Sequence, residues 1–319
     1  MSTKKIITVF GATGAQGGGL VNAILNDPNS EFSVRAVTRD IHSDKAKAIA
    51  ARGAEVVYAD LEHPETIQKA MEGAYGAFCV TFFWTHFSPE RESAEAQAMA
   101  AAAKATGLKH VIWSTLEDTR IFIPIEDDRM PTLGGKYSVP HFDGKGESDH
   151  FFTDAGVPTT FLLTTFYWDN LIYFGMGPQR GEDGTLAITF PMADKRLSGI
   201  AAEDIGKVAY GIFKKGEPLV GQAVGIAGEH ISCADMAKAL TKAVGEEVKY
   251  NAVTPAMYRS FGFPGADDLG NMFQFYQEFE EAFTNARDIS IARDLNPELQ
   301  NFEKWLENNA SRLPITAKS

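Results

Sequence analysis

The fold is decided by a stretch near the start of the chain, residues 5–18, which reads Lys5-Ile6-Ile7-Thr8-Val9-Phe10-Gly11-Ala12-Thr13-Gly14-Ala15-Gln16-Gly17-Gly18. A run rich in β-branched residues is followed by glycines at every third position and then by a helical pattern. Glycine permits a sharp turn between a strand and a helix and leaves backbone N–H groups free at the helix start. Such a helix start binds anions, and the anion that this motif predicts is a dinucleotide pyrophosphate.

The rest of the first half alternates short apolar runs with helical patterns that often stop at glycine. The predicted strands are residues 6–10, 33–38, 55–58, 77–81, 110–114 and 158–163. The predicted helices between them are residues 16–26, 43–52, 64–71, 92–106 and 143–154. This alternation predicts an α/β protein with a Rossmann-type, doubly wound parallel sheet and helices on both faces.

The pattern changes after residue 166. Glycine and proline recur over 175–184, which suggests an excursion away from the sheet, whereas a helix and a strand near 200–228 are expected to return to it. We therefore predict a Rossmann domain over 1–165, joined by the segments near 200–228, and a smaller domain formed mainly by 166–319. Aromatic residues over 272–283 follow helical spacing and face either the core or a partner.

The bulk composition narrows the class of protein. The chain has 319 residues with 44% hydrophobic content, and 30 Lys and Arg against 42 Asp and Glu give a net charge of −12. This charge and the lack of a basic patch argue against nucleic acid as a partner. Two distant cysteines fit a reducing compartment, so we expect a cytoplasmic location, with a nuclear one left open. No metal-ligand spacing and no run of ~18 apolar residues occur, so we expect neither a metal nor a membrane partner.

The residue after the second predicted strand selects the cofactor. An NAD-binding protein usually has Asp or Glu there, to accept from the ribose 2′-hydroxyl. This chain has Thr38-Arg39-Asp40, and a guanidinium suits the 2′-phosphate of NADP. The sequence therefore predicts NADP(H). The alternatives are that Asp40 bonds the hydroxyl, or that Arg39 is a solvated loop charge.

Position at the carboxyl ends of parallel strands predicts further contacts with the cofactor, since ligands bind at that edge of the sheet. Asp60 and Leu61 follow the third strand, and residues 81–83 follow the fourth. Together with the first turn, the candidate contacts are Gly11, Thr13, Gly14, Ala15, Gln16, Gly17, Arg39, Asp60, Leu61, Thr81, Phe82 and Phe83.

These segments resemble the NmrA-like branch of the atypical short-chain dehydrogenase/reductase superfamily. The glycine turn, Val37-Thr38-Arg39, and residues 141–147, 261–266 and 268–273 carry the resemblance, which runs over nearly the whole chain. It implies a Rossmann domain with a smaller α+β C-terminal domain that closes a cleft, and a preference for NADP(H). Some members of the family sense the redox state through cofactor occupancy, and related proteins are working reductases.

Short-chain dehydrogenases carry a Tyr-x-x-x-Lys pair, whose tyrosine protonates a carbonyl while its lysine holds the ribose. The matching positions here are His141 and Lys145, so the lysine is present and the tyrosine is replaced. We expect Lys145 to contact the cofactor, with a solvated lysine as the alternative. His141 is a candidate proton donor, or a histidine merely tolerated there. By resemblance, Tyr167 and Asn170 lie along the nicotinamide half, unless the aromatic pair there belongs to the core.

An intact cofactor turn beside an altered catalytic pair suggests a regulatory protein. Our leading hypothesis is an NADP(H)-binding redox sensor whose cofactor occupancy modulates its conformation and its binding to a protein partner. The alternative is an NADPH-dependent reductase of a quinone, an enone or another small carbonyl compound. A scaffold with a vestigial site is a third hypothesis, and a homodimer is left open.

Overall fold

The computed structural model describes residues 4–315. Its strands are β1 (Lys5–Val9), β2 (Phe32–Thr38), β3 (Glu55–Tyr58), β4 (Gly76–Cys79), β5 (His110–Thr115), β6 (Thr159–Leu163), β7 (Phe166–Tyr167), β8 (Gln179–Arg180), β9 (Leu186–Phe190), β10 (Arg196–Ile200), β11 (Ala223–Gly225), β12 (Glu229–Ser232) and β13 (Val248–Ala252).

The helices begin and end largely where local capping chemistry allows. They are α1 (Ala15–Asn26), α2 (Asp44–Ala51), α3 (Pro64–Met71), α4 (Pro89–Thr106), α5 (Pro140–Asp154), α6 (Asn170–Tyr173), α7 (Ala202–Lys215), α8 (Cys233–Val244), α9 (Pro255–Arg259), α10 (Ala266–Glu278), α11 (Glu280–Asn285), α12 (Ile289–Leu295) and α13 (Phe302–Asn309). The hydroxyls of Ser43, Ser88 and Ser232 accept from amides in the first turns of α2, α4 and α8. Gly107 and Gly245 end α4 and α8 in the left-handed conformation.

Seven parallel strands form the main sheet, in the order β11-β6-β5-β4-β1-β2-β3. The strand order reverses between β1 and β4, and such a reversal leaves a crevice at the carboxyl ends of the strands, where ligands of open α/β sheets bind. All residues of β4 and β5 are buried, as expected for central strands covered on both faces. The Rossmann-type sheet predicted from the sequence is confirmed.

Two small sheets accompany the main one in the second half of the chain, in the orders β12-β10-β7 and β13-β9-β8. Strands β9 and β10 lie just beyond the glycine-rich stretch and were not predicted. They pack with α8 and α10 around a core that includes Phe166, Phe190 and Phe273. The smaller α+β region that the resemblance implied is confirmed.

A helix pair and a strand are among the contacts that attach the second half to the first. Helix α7 packs against α1, and a Cβ on Gly19 would lie 2.5 Å from the carbonyl oxygen of Glu203. A Cβ on Gly206 would lie 2.0 Å from the amide nitrogen of Leu20. Strand β11 then pairs with β6 at the edge of the main sheet. The domain division proposed from the sequence stays a prediction.

The aromatic stretch over 272–283 forms two helices instead of one, because α10 ends at Glu278 and α11 begins at Glu280, with Phe279 between them. Met272, Phe275 and Phe283 are buried in the core of the second half. The stretch therefore faces the core. None of the helices within residues 4–315 combines the length and the apolar character needed to cross a membrane.

The packing of α1 against α7 generates a stability prediction with an internal control. Gly19→Ala should lower the free energy of unfolding by about 1–3 kcal/mol, because the new methyl group meets backbone that has little room to shift. Gly18→Ala places its methyl group 3.5 Å from the nearest atom and should be neutral or stabilising by up to about 1 kcal/mol. Chemical denaturation of both variants measures the difference, and an equal effect of the two would contradict this packing.

Candidate functional site

The turn between β1 and α1 leaves the start of α1 open. Gly11 has a φ of +62°, which favours glycine, and a Cβ on Gly17 would lie 2.5 Å from the carbonyl oxygen of Gly11. Gly14 caps α1 without a side-chain hydrogen bond, and the first turn holds no acidic residue. Gly11, Gly14 and Ala15 are exposed and Thr13 is half-buried. The amides at this helix start are therefore accessible to an anion.

Arg39 lies at the same sheet edge as this turn, because β1 and β2 are parallel neighbours. Its side chain is exposed, and no carboxylate within residues 4–315 pairs with it. Asp40 is less available, since its Oδ1 accepts from the amide of His42 at 2.9 Å. Of the two side chains, the guanidinium is the one that is free for a ligand.

Asp60 and Leu61 follow β3, the next strand along this edge. Both are half-buried, and Oδ1 of Asp60 accepts from the amide of Glu62 at 3.2 Å. They share this edge of the sheet with Arg39. Neither residue is hydrogen-bonded to His141 or Lys145, the two candidate catalytic residues.

Gln16 connects the turn to two other strand ends. Its Nε2 donates to the hydroxyl of Tyr167 at 2.7 Å, and its Oε1 accepts from the hydroxyl of Ser114 at 2.7 Å. Ser114 lies in β5, and Tyr167 ends β7 in the second half of the chain. Burial raises the pKa of Tyr167, so its hydroxyl stays protonated at neutral pH. One amide side chain thus joins the turn to both halves. Asn170 begins α6 three residues beyond Tyr167 and is half-buried.

Lys145 lies on α5 and is held by groups from β5 and from the β4–α4 region. Its Nζ donates to Oγ1 of Thr81 at 2.6 Å and lies 3.0 Å from Oε1 of Glu92. The ammonium also lies 5.3 Å from the centre of the Trp113 ring. Thr81 in turn donates to Oε1 of Glu92 at 2.6 Å. The structure therefore brings two predicted residues, Thr81 and Lys145, into direct contact.

His141 lies one turn before Lys145, within α5, since the helix begins at Pro140 and not at residue 143 as the sequence suggested. Its Nδ1 is 2.6 Å from Oδ1 of Asp268, and its backbone amide donates to Oδ2 of the same carboxylate at 3.2 Å. Asp268 belongs to α10, so this contact joins the two halves as well.

Aromatic rings surround this histidine. The centre of the Trp84 ring lies 4.8 Å and that of the Phe83 ring 5.9 Å from the centre of the imidazole. Phe83 is buried, whereas the neighbouring Phe82 is 55% exposed. The loop after β4 thus presents two rings to His141, those of Phe83 and Trp84, and the ring of Phe82 to solvent.

A family model decides the membership of the chain. The model of the NmrA-like family matches residues 3–306 of this chain. The chain belongs to the NmrA-like family. Among curated NmrA-like proteins, the oxidoreductase ptmS of Penicillium ochrochloron is 26% identical over 318 residues, which cover 92% of this chain and 90% of ptmS.

Solved structures of the same fold carry nicotinamide nucleotides. NmrA, a negative transcriptional regulator, has been solved in complex with NADP. That structure superposes on this chain with a TM-score of 0.77 at 22% sequence identity, and the match covers 97% of this chain and 96% of the NmrA chain. NmrA has also been solved with NAD. The triphenylmethane reductase of Citrobacter sp., complexed with NADP(H), gives a TM-score of 0.72 at 18% identity over 95% of this chain and 99% of its own. At these identities the likeness establishes the fold.

Two residues of this site were not predicted from the sequence as site residues, namely Glu92 and Asp268. Each is an acid in the first turn of a helix, where acidic residues are common because they complement the helix dipole. Their partners lie far along the chain, and Asp268 is 127 residues from His141. Local spacing therefore could not reveal either contact.

The face of α5 that carries His141 and Lys145 continues to Asp149. Oδ1 of Asp149 accepts from Nε1 of Trp113 at 2.9 Å and from Oγ1 of Thr115 at 2.6 Å. Burial raises the pKa of Asp149 to about 7 in spite of these two donors. Between its ordinary pKa near 4 and pH 7, the unfolded chain has released this proton while the folded chain retains it. Asp149 therefore makes the fold less stable as the pH rises through this range.

The prediction is that Asp149→Asn reduces this loss. The amide keeps an acceptor for Trp113 and Thr115 but does not ionise, so the stability of the variant relative to wild type should improve by about 2 kcal/mol between pH 4 and pH 8. Denaturation at several pH values measures the difference. Asp154→Asn, at the exposed end of the same helix, should leave the pH dependence unchanged. Parallel curves for wild type and Asp149→Asn would contradict the account of this carboxyl group.

Proposed function

We propose that the chain binds NADP(H) at the carboxyl edge of the main sheet. The observation that carries the proposal is the pairing of an uncapped helix start with the exposed guanidinium of Arg39, which directly follows the neighbouring strand and has no partner within residues 4–315. The amides can donate to a pyrophosphate and the guanidinium to a 2′-phosphate, because both sites offer donors and no carboxylate within residues 4–315 occupies them. NmrA and the triphenylmethane reductase have been solved with NADP nucleotides at the same fold.

The chain supplies a residue for each part of the nucleotide. In this proposal the amides of residues 15–17 hold the pyrophosphate, Arg39 the 2′-phosphate, and Asp60 and Leu61 the adenine, while the amide of Gly14 donates to the carbonyl oxygen of Gly11 within the turn. Lys145 holds the nicotinamide ribose beside Thr81. The residues proposed to flank the nicotinamide are Phe82, Phe83, Tyr167 and Asn170.

We further propose that cofactor occupancy acts as a redox signal. Gln16 uses its side chain to join the turn to Ser114 and to Tyr167 of the second half. A nucleotide seated on the turn competes for this space, so its arrival changes a contact between the halves. The shift in conformation is limited to the difference in nucleotide affinity between the two states. The readout is the binding of a regulatory protein partner, and a homodimer is the other assembly that occupancy would control.

A second candidate function is the NADPH-dependent reduction of a quinone, an enone or another small carbonyl compound. The observation in its favour is the hydrogen bond between His141 and Asp268, which fixes the orientation of the imidazole one turn from Lys145. NADPH supplies a hydride when bound, and His141 would supply the proton that the missing tyrosine gives elsewhere. The relative ptmS is described as an oxidoreductase.

Nucleotide titrations test the cofactor. Tryptophan fluorescence should show NADPH binding at least about tenfold tighter than NADH, a difference of ~1.4 kcal/mol. Arg39→Gln should remove this preference by weakening NADPH alone, because only NADPH carries the 2′-phosphate. Arg52→Gln removes a cation from the end of α2 and should keep the preference.

Hydrogen exchange measured with and without NADPH distinguishes a conformational signal from binding alone. The exchange rates of backbone amides in the segment over 164–173 should change when NADPH is added, because Tyr167 loses its hydrogen bond to Gln16. Equal or tighter binding of NADH would contradict the cofactor assignment, whereas tight NADPH binding with unchanged exchange and unchanged size-exclusion behaviour would contradict the sensor.

A substrate panel tests the reductase. If NADPH is consumed steadily with a quinone or an aldehyde, Asp268→Asn should lower kcat by about tenfold or more and leave KM nearly unchanged, because it disorders the proton donor and not the substrate. Asp267→Asn alters the adjacent exposed acid and should have no effect. Absence of turnover across the panel would remove this candidate and leave the sensor.

A further inference from the structure

The ammonium of Lys145 is restrained from three sides. Thr81 accepts from it at 2.6 Å, Oε1 of Glu92 lies at 3.0 Å, and the ring of Trp113 lies 5.3 Å away. These groups come from three different parts of the main domain, namely the end of β4, helix α4 and strand β5. Such restraint is unusual for lysine, whose flexible stem normally leaves its charge in water.

Glu92 is the deepest member of this group. Its side chain is fully buried, whereas that of Lys145 keeps 10% exposure. Its second oxygen, Oε2, is buried without a hydrogen-bond partner among the described residues. A buried carboxylate with one unused oxygen is costly, so its charge requires compensation by a nearby cation. Lys145 supplies this compensation, and it is therefore tied to Glu92.

The hydrogen-bond count leaves one N–H free. An ammonium has three donors and no acceptor. Thr81 and Glu92 occupy two of them, and Thr81 is itself oriented by the bond that it donates to Glu92. The third N–H has no protein acceptor within residues 4–315, and the side chain keeps 10% exposure through which a ligand can reach it.

We propose that Glu92 is a positioning residue for the cofactor, which fixes Lys145 so that its remaining N–H meets the nicotinamide ribose. This inference rests on the proposed NADP(H) binding. Glu92 does not touch the nucleotide. It acts through Lys145 alone, and it therefore governs only the nicotinamide half of the ligand.

Two nucleotides separate positioning from a general effect on the fold. NADPH carries the nicotinamide ribose, whereas 2′,5′-ADP lacks it and retains the 2′-phosphate for Arg39. Glu92→Gln should weaken NADPH at least about tenfold and leave the affinity for 2′,5′-ADP unchanged, because a hydrogen bond from a charged donor is lost at the ribose alone. Lys145→Met should give the same pattern. A merely structural role of Glu92 would weaken both ligands.

Matched variants complete the experiment. Glu95→Gln removes an acid three residues along α4 that does not contact Lys145, and it should leave both affinities unchanged. Adding Glu92→Gln to Lys145→Met should cause no further loss of NADPH affinity. This double variant also removes the carboxylate charge that Lys145→Met alone leaves buried and uncompensated, so it stays informative if Lys145→Met alone does not fold.

The outcomes separate the two proposals. If the wild type binds neither nucleotide, the proposed function and this inference both fail. If the wild type binds NADPH but Glu92→Gln leaves both affinities unchanged or weakens both equally, only the role of Glu92 is overturned. An additive loss in the double variant would also overturn it. Selective loss of NADPH affinity, shared with Lys145→Met, supports it.

Discussion

The structure depends on how closely the backbone of α1 approaches its neighbours. At Gly17 the helix meets the carbonyl oxygen of the preceding turn, and at Gly19 it meets the backbone of α7. Any side chain at either position would force the helix away. This constraint keeps the start of α1 at the sheet edge beside β2 and attaches the second half of the chain to the first. The anion site and the assembly of the two halves therefore have one physical origin.

A second property of the fold is that helix α5 carries three ionisable side chains of the candidate site on one face. His141, Lys145 and Asp149 follow at intervals of four residues, and each finds a partner on a different element. Asp268 reaches His141 from the second half, and Glu92 reaches Lys145 from the first. The first residue of this face therefore contacts the second half of the chain, whereas Lys145 and Asp149 contact the first half.

The sequence predicts the parts of the molecule whose determinants are local. The glycine turn, the parallel sheet and helices such as α3 follow from spacing, caps and β-branched runs, and the structure reproduces them with small shifts at the ends. Helix α5 begins three residues earlier than predicted, because Pro140 suits a first helical position and Asp143 accepts from the amides of Ser138 and Val139. That difference places His141 inside the helix, on the face that it shares with Lys145.

Non-local pairing accounts for what the sequence did not reveal. Strands β9 and β10 are short and are stabilised by partners elsewhere in the chain, so the turn residues before them masked them. The Gln16–Tyr167 and His141–Asp268 contacts span 151 and 127 residues. Position at strand ends placed Thr81 and the turn near one edge, and the family resemblance predicted Lys145 as a cofactor contact, but neither could show that Lys145 already has an acidic partner.

A crystal structure grown with NADPH tests the central claim most directly, namely that the nucleotide occupies the edge where the two halves meet. We expect a pyrophosphate on the amides of residues 15–17, Arg39 on the 2′-phosphate, and a Gln16 side chain that has left Tyr167. An empty turn would contradict it, as would a bound nucleotide that leaves the bonds from Gln16 to Ser114 and Tyr167 as they are without it.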